Sequence, residues 1–545
     1  MPTLTESQAT SCSRANGHES LRDDLSRPDA YEGAPSDVEV VETHISWVFL
    51  TRDSAYKVKK PVDFGFLDFR SLASRRTACE AELSLNARLT DGVYRALVPV
   101  RARPDGHFAL GDGEGEIVDW AVHMKRLPEA RRADTMLLAG ELGLPEVDLL
   151  ASRLAAFHAS CKVDERATRY GTPDAIAASV EENFAQVGDA LERYVSRAEA
   201  LELRRLPRAL LASRRPTFER RAKLGRVRDG HGDLRLEHVY FEGAAPQILD
   251  CIEFNDRFRY GDVCADVAFL SMDLAHFGAV DLAERFLAQY ARASNDYDIY
   301  ELVDFYEGYR AFVRGKIAHF VARDGTLPLP TRQAAEAHAR AYFLLALSAE
   351  RRALLSPQVV CVGGIIAAGK STLADALACE MSAPVVDADR TRKDMVGVQA
   401  TQAVKDDAWS GAYDPAFTER VYEEVLRRAR IVLASRRPVI LDASFRSPRF
   451  RAAARALARE MGAPFCFLEC QAPMDVIRAR LTERARGASV SDGRLEVLDD
   501  FVKRYEPVTE LSEAEHLVVD TSTDLEHQLS RVRARVSTWP RGLVA

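Results

Sequence analysis

Gly364-Ile365-Ile366-Ala367-Ala368-Gly369-Lys370-Ser371-Thr372 follows an apolar run and opens a helical pattern, and its residue types suit the grip of a phosphate chain. Glycines at both ends let backbone N–H groups curl around anionic oxygens, and the N-terminus of the following helix adds partial positive charge. Lys370 adds a point charge for β and γ phosphates, and the Ser371 hydroxyl is an oxygen ligand for Mg²⁺. Downstream, Val385-Val-Asp387-Ala-Asp389-Arg390-Thr-Arg392 puts two acids and two arginines after a second short apolar run. A carboxylate there, Asp389 first and Asp387 as its competitor, can orient or deprotonate an attacking hydroxyl. Val439-Ile-Leu-Asp442 is an apolar run ending in an acid, which suits Mg²⁺ directly or through water. Arg480, Arg484 and Arg486 cluster on or beside one helical stretch and could close over a transferred phosphoryl group. Taken singly, Asp442 could merely end a strand and the arginines could be a solvated face; their order behind the loop is what carries the reading.

These groups need a scaffold that brings strand ends together. Strand candidates at Gln358–Val362, Ala383–Asp387, Pro438–Asp442 and Pro464–Glu469 alternate with helical patterns. Such alternation predicts a parallel, helix-covered sheet over residues 356–545. Before it the order differs. Short β-prone runs at Ile45–Leu50 and Ala55–Val58 are separated by Thr51-Arg-Asp-Ser54. A helical pattern follows from Ser74 to Leu89, then a strand pair around Arg101–Leu110 and another strand at Ile117–Lys125. Helical patterns span Pro145–Phe157 and Ala175–Leu210, and a mostly helical stretch continues from after residue 254 to about Ala353. The turn-rich Asp324–Thr331 interrupts it, and a helix is expected over Arg332–Leu355. The expected layout is a flexible tail over 1–35, an α+β domain with two lobes over 36–355, and an α/β domain over 356–545.

Residues 357–545 resemble the small P-loop kinases related to polynucleotide kinase, the zeta-toxin kinases, gluconate kinase and chloramphenicol phosphotransferase. The spacing of Asp389 and Arg392 matches the DxxR of polynucleotide kinase, where the Asp is the general base. The resemblance implies a P-loop NTPase fold and transfer of the γ-phosphoryl of ATP to a hydroxyl. It names no acceptor, because these enzymes share a nucleotide site and differ in substrate.

Asp229-Gly-His231-Gly-Asp233-Leu-Arg235-Leu-Glu-His238, followed by Asp250 in Ile248-Leu-Asp-Cys-Ile-Glu-Phe, resembles the catalytic loop and metal-binding segment of aminoglycoside phosphotransferases. The resemblance covers about residues 36–355 and implies a protein-kinase-like fold. It casts Asp233 as acceptor of the substrate hydroxyl proton and Asp250 as a Mg²⁺ ligand. Ala55-Tyr56-Lys57 resembles the strand whose lysine pairs with ATP phosphates, with Lys59 as competitor. Glu82, with Glu80 as alternative, is the implied ion-pair partner. Gly261-Asp262-Val-Cys-Ala-Asp266 resembles the element that braces the catalytic loop. The arrangement also resembles a bacterial group of aminoglycoside-phosphotransferase-like proteins fused to a C-terminal P-loop kinase domain. Two departures stand out: His238 occupies the place of a metal-binding Asn, and no glycine-rich loop joins the first strands.

Composition bounds the partners. Hydrophobic residues make up 47% and charged residues 29%, with 74 Lys plus Arg against 82 Asp plus Glu and a formal charge of −8. That acidic balance argues against a nucleic-acid substrate, as does the lack of aromatic residues interleaved with a basic run. No apolar run reaches the ~18–20 residues that span a bilayer, and the first residues do not read as a secretory signal. Nine cysteines without metal-site spacing read as reduced thiols in a cytoplasmic protein. The leading expectation is an ATP- and Mg²⁺-dependent kinase of a small-molecule hydroxyl acceptor. Its competitors are an ATP-hydrolysing switch whose first half binds a ligand or partner, and a nucleic-acid 5′-end kinase. The oligomeric state stays open.

Overall fold

The computed structural model describes residues 20–65, 67–348, 355–402, 410–484, 486 and 490–539. The chain packs into two compact units, one of Met1–Leu142, Ser160–Thr172 and Arg221–Asp266 and one of Gly143–Ala159, Pro173–Arg220 and Val267–Ala545. The change of pattern near residue 356 therefore falls inside the second unit.

In the first unit, β1 (Glu39–Glu42), β2 (Ser46–Leu50), β3 (Ser54–Lys59), β4 (Tyr94–Ala102), β5 (Phe108–Leu110) and β6 (Glu116–Lys125) form an antiparallel sheet in the order β1-β2-β3-β6-β4-β5. Lys57 sits opposite Val48 on β2 and Val122 on β6. Because side chains alternate along a strand, Ala55, Lys57 and Lys59 share one face, and Tyr56 and Val58 share the other. The helix Leu72–Asn86 covers the lysine face, with Ser71 accepting from the Ser74 N–H at its start and Cys79 packed among Ala55, Val93, Val122 and Met124.

The other face corrects one expectation. Residues 20–35 are not a tail: Leu21, Leu25, Ala30 and Tyr31 are buried against Trp47, Phe49, Val58, Val100 and Ala121. A few apolar side chains spread over mostly polar positions were enough to cover the sheet, and the Tyr31 hydroxyl donates to the Leu25 carbonyl at 2.5 Å. Residues 1–19 of the expected tail lie outside the described residues. Two ribbons complete the unit, β7 (Val227–Asp229) with β10 (Tyr260–Asp262) and β8 (Val239–Tyr240) with β9 (Gln247–Ile248).

The second unit carries helices that include Pro173–Val187, Arg197–Ser213, Val280–Ser294, Val303–Arg323 and Leu329–Leu347. The helical pattern over 175–210 is two helices, joined through a 3-10 turn at Gly188–Arg193. The helix expected over Arg332–Leu355 begins at Leu329, and residues 349–354 lie outside the described residues. A five-stranded sheet follows: β11 (Val359–Gly363), β12 (Val385–Asp387), β13 (Val439–Asp442), β14 (Phe465–Gln471) and β15 (His516–Asp520), in the order β12-β13-β11-β14-β15. All of its pairings are parallel. β11 is buried at every position, as expected of a strand covered on both faces. β15 is an addition to the four strands expected from the sequence.

Helix Val280–Ser294 and the turn after it are held against this sheet by ion pairs and a hydrogen bond. Buried Arg437 pairs with Glu284 at 2.7 Å and Asp304 at 3.0 Å. The Tyr297 hydroxyl donates to the Val385 carbonyl at 2.5 Å, and the Arg428 guanidinium lies 5.3 Å from the Tyr297 ring centroid. Buried charges are tolerated when paired, so these contacts fix where the preceding helix can lie.

Candidate active sites

In an open parallel sheet, ligands gather at the carboxyl ends of the strands. Here β11 ends in the phosphate-loop sequence, while β12 and β13 end in Asp387 and Asp442, which are register partners. Two glycines are dictated by geometry. Gly364 has φ +135°, and a Cβ on it would come within 2.5 Å of the Cys470 carbonyl oxygen. Gly369 has φ +86°, and its Cβ would come within 2.9 Å of the Thr521 Cβ. Gly369 caps the helix Lys370–Met381, and the Lys370 ammonium donates back across the loop to the Ile365 carbonyl at 2.8 Å. Ser371 and Asp442 line the same cavity, and the Asp442 Oδ2 is buried without a hydrogen-bond partner among the described residues. Burial raises the Asp442 pKa, with Lys370 and Ser371 opposing. A hydroxyl and an orphaned carboxylate oxygen beside a phosphate cradle are oxygen donors of the kind Mg²⁺ takes.

A cavity of about 360 Å³ opens from this loop and is lined by Lys370, Ser371, Asp387, Asp389 and Asp442 on the side of the strand ends. The two candidate bases differ in their freedom. Asp387 is buried and caps the helix Ala388–Met395 by accepting the Arg390 N–H at 2.8 Å. Its pKa is raised to about 7 by burial and by the facing Asp442 and Asp389 carboxylates. Asp389 is half-buried and makes no hydrogen bond or ion pair among the described residues. Arg392 reaches the cavity wall, but its guanidinium donates to the Ala412 carbonyl at 2.5 Å and to Thr418 at 3.3 Å, stacked over Tyr413.

Arg480 and Arg484 lie on the helix Met474–Arg484, with Arg486 just beyond it. Arg484 lines the cavity, whereas Arg480 is tied to the Thr521 carbonyl at 2.6 Å and reaches the Ala367 carbonyl at 3.4 Å. Arg480 thus braces the back of the loop. There it lines a second, more open hollow of about 470 Å³ with Thr372, Thr521, Thr523 and Gln528. Thr521 escaped the sequence reading. Its hydroxyl donates to the Ala368 carbonyl at 2.8 Å, and the visible signal was the Thr-Ser-Thr run after the β15 acid.

In the first unit, the lysine face of β3 meets the segment after β9. Buried Glu82 takes Lys57 at 2.9 Å on one oxygen and Lys59 at 2.5 Å on the other. Glu80 instead pairs with Arg76 on the surface. Lys57 also pairs with Asp250, and Lys59 with Glu253, a residue the sequence reading passed over. Burial lowers the Lys57 pKa, but Asp250 and Glu82 outweigh it, so the ammonium titrates well above its usual range. Burial raises Glu253, and the same effect on Glu82 and Asp250 is overcome by the lysines. Asp250 adopts φ +65° and its N–H donates to the Tyr94 hydroxyl at 3.3 Å.

The catalytic-loop sequence is braced as its resemblance implied: the Asp266 carboxylate accepts the His231 and Gly232 N–H groups at 2.6 and 2.9 Å. Asp262 pairs with buried Arg221 at 2.7 Å. Burial drops His231 to about 4, and its ring bonds the Leu249 carbonyl at 2.8 Å. Asp233 carries Arg235 at 3.0 Å. His238 Nδ1 lies 2.9 Å from the Asp233 carbonyl oxygen, and Nε2 lies 3.7 Å from Asp250 Oδ2. One imidazole nitrogen and one carboxylate already held by Lys57 are a poorer fit to a hard cation than the Ser371–Asp442 pair.

A kinase-like sheet with its lysine–glutamate pair and braced loop, followed by a phosphate-loop domain on a parallel sheet, defines the class of this chain. Residues 359–508 match the family described as an AAA domain. The uncharacterized protein Rv2004c of Mycobacterium tuberculosis is 34% identical over 455 residues, which cover 83% of this chain and 87% of that protein. The chain belongs to the same family as Rv2004c. Similar solved structures include a choline/ethanolamine kinase family protein from Mesorhizobium loti, with 12% identity, 61% of this chain and 98% of that chain covered, and a TM-score of 0.36. Another is the Mycobacterium tuberculosis APS kinase in complex with AMPPNP and APS, with 18% identity, 33% and 96% covered, and a TM-score of 0.25.

Proposed function

We propose that this chain is an ATP-dependent phosphotransferase that moves the γ-phosphoryl group to a hydroxyl of a small molecule, with the phosphate-loop site as its working centre. The observation that carries this reading is the unpartnered Asp389 carboxylate in one cavity with Lys370, Ser371 and the orphaned Asp442 oxygen. The loop backbone and Lys370 would hold the β and γ phosphates, and the hollow beside Arg480 and Thr521 would admit the nucleoside end. Ser371 and Asp442 would hold Mg²⁺, which neutralises phosphate charge when bound. Asp389 would orient the acceptor hydroxyl and take its proton as the oxygen–phosphorus bond forms and the bond to ADP breaks. Arg392 and Arg484 border the space where charge would develop.

A second reading applies to the first half alone. Lys57 neutralises Asp250, and Arg235 neutralises Asp233, so this half could serve as a ligand- or partner-binding module. The cytoplasmic assignment is likewise a proposal. It is supported by the absence of disulfides among the described cysteines and of any described helix long and apolar enough to cross a membrane.

The test is transfer from γ-labelled ATP to pooled sugars, nucleosides, antibiotics and DNA or RNA 5′-ends. Labelled small-molecule product supports the reading. Labelled nucleic-acid ends would replace it with end processing, and phosphate release without any acceptor would replace it with a switch.

A further inference from the structure

We infer that the acceptor of the phosphate-loop site carries an oxyanion group, and that Arg292 and Arg390 form its seat. This rests on the phosphotransferase reading above and adds the class of acceptor.

Arg292 comes from the helix Val280–Ser294, far upstream of the loop in sequence, yet it lines the same cavity as Lys370, Asp389 and Arg390. The Tyr297 and Arg437 contacts described above hold this helix in place. The Arg292 side chain is 15% exposed, and one of its terminal nitrogens pairs with Asp375 at 2.6 Å. Its Nε is buried without a hydrogen-bond partner among the described residues, and so is the Nε of Arg390. Two guanidinium groups therefore border one cavity with buried N–H groups unspent. They also repel: burial and the nearby Arg292 charge lower the pKa of Arg390.

The acids in reach do not settle this. Asp387 is committed to capping a helix, and Asp375 meets Arg292 through only one of its terminal nitrogens. Around the whole cavity, basic side chains outnumber acidic ones. Arg446 and Arg494 also line the cavity; Lys370 and Arg484 are placed to serve the nucleotide and Arg392 is held by Ala412 and Thr418, whereas Arg292 and Arg390 lie together beside Asp389 and suit the other substrate. Leaving a buried donor unpaired is costly, whereas a carboxylate, phosphate or sulfate oxygen pair matches the fork of a guanidinium. A neutral polyol would offer only hydroxyls to these cations.

The test uses the full chain saturated with a non-hydrolysable ATP analogue, so that the phosphate loop is filled, and titrates inorganic sulfate by calorimetry. Wild type should bind sulfate, and Arg292→Gln and Arg390→Gln should each weaken it about tenfold or more with analogue affinity within about twofold. Arg292→Lys, which keeps the charge without the fork, should fall between and guards against a folding defect. In transfer assays, gluconate and glycerate should be used in preference to glucose and glycerol, and Arg292→Gln should raise KM for the anion more than it lowers kcat. Normal analogue binding with no sulfate binding, equal sulfate affinity in wild type and both Gln variants, or preference for the neutral partner would overturn the inference alone. Failure of the analogue to bind wild type would overturn the phosphotransferase reading on which it stands.

Discussion

The two candidate sites use the same kinds of residue and leave them in opposite states. Around the phosphate loop, the Asp389 carboxylate, one Asp442 oxygen and the Nε groups of Arg292, Arg390 and Arg392 have no hydrogen-bond partner among the described residues, and these residues border a cavity. In the first half, the corresponding groups are drawn into ion pairs with one another: Lys57 holds Asp250, Glu82 lies between two lysines though its Oε1 makes no hydrogen bond among the described residues, and Arg235 holds Asp233. A polar group that has found a protein partner must break that contact before it can serve a ligand. One that has not has already borne the cost of its burial. The comparison teaches that a catalytic pattern in sequence reports which groups are present, and the pairing reports which are ready.

The sharpest way to break this contrast is Lys370→Ala in the full chain. It should cut ATP-dependent transfer by about 10³-fold or more, because the backbone cradle alone cannot offset charge developing on the γ-phosphoryl. Near wild-type transfer in a steady-state assay would move the working centre to the first half.

Asp389→Asn comes next. Loss of the unpartnered carboxylate should slow transfer about 10²–10⁴-fold with little change in ATP affinity. A normal rate for Asp389→Asn, with collapse for Asp387→Asn, would reassign the base to the residue that caps the helix.

The first half can then be read with Lys370→Ala silencing the other site. Mg²⁺-dependent ATP binding that remains should weaken about tenfold or more on Asp250→Ala and be kept or improved by His238→Asn, which restores an oxygen ligand. Equal binding by all three chains, measured by calorimetry, would mark this half as a module that does not use nucleotide.

The smallest effect concerns stability. Asp387 has its pKa raised to about 7 by burial and by two facing carboxylates, so the folded chain holds this proton more tightly than the unfolded chain. Stability contributed by the neutral form is therefore present at low pH and is lost as pH rises from the ordinary carboxyl range towards 7. Asp387→Asn keeps a capping oxygen and removes the charge. It should raise the melting temperature by about 4–8 °C at pH 8 and by roughly a third of that at pH 5. An equal shift at both pH values would show that Asp387 is not held near neutrality.

Much of both sites was legible without coordinates because it is local. Gly364 to Ser371 lies between a strand and a helix, so backbone curvature and helix dipole follow from adjacent residues alone. The acids at Asp387 and Asp442 were readable because an apolar run ending in a charge marks where a buried strand emerges. Period-two spacing likewise put Lys57 and Lys59 on one face. It could not say which lysine meets which acid, because that depends on the depth at which Asp250 and Glu253 approach the sheet.

What the amino-acid order determined by itself is therefore the type of each half and the identity of the phosphate loop, since short-range spacing dictates both. Tertiary structure alone decided that Leu21, Leu25 and Tyr31 cover a sheet, and that Glu82 rather than Glu80 is buried. It alone also brought Arg292 to the cavity of a loop distant in sequence. The physical reason is common to all three. A side chain's partner across a long stretch of chain is chosen by the packing of whole elements and by the cost of leaving a buried charge alone, and neither is written in the residues beside it.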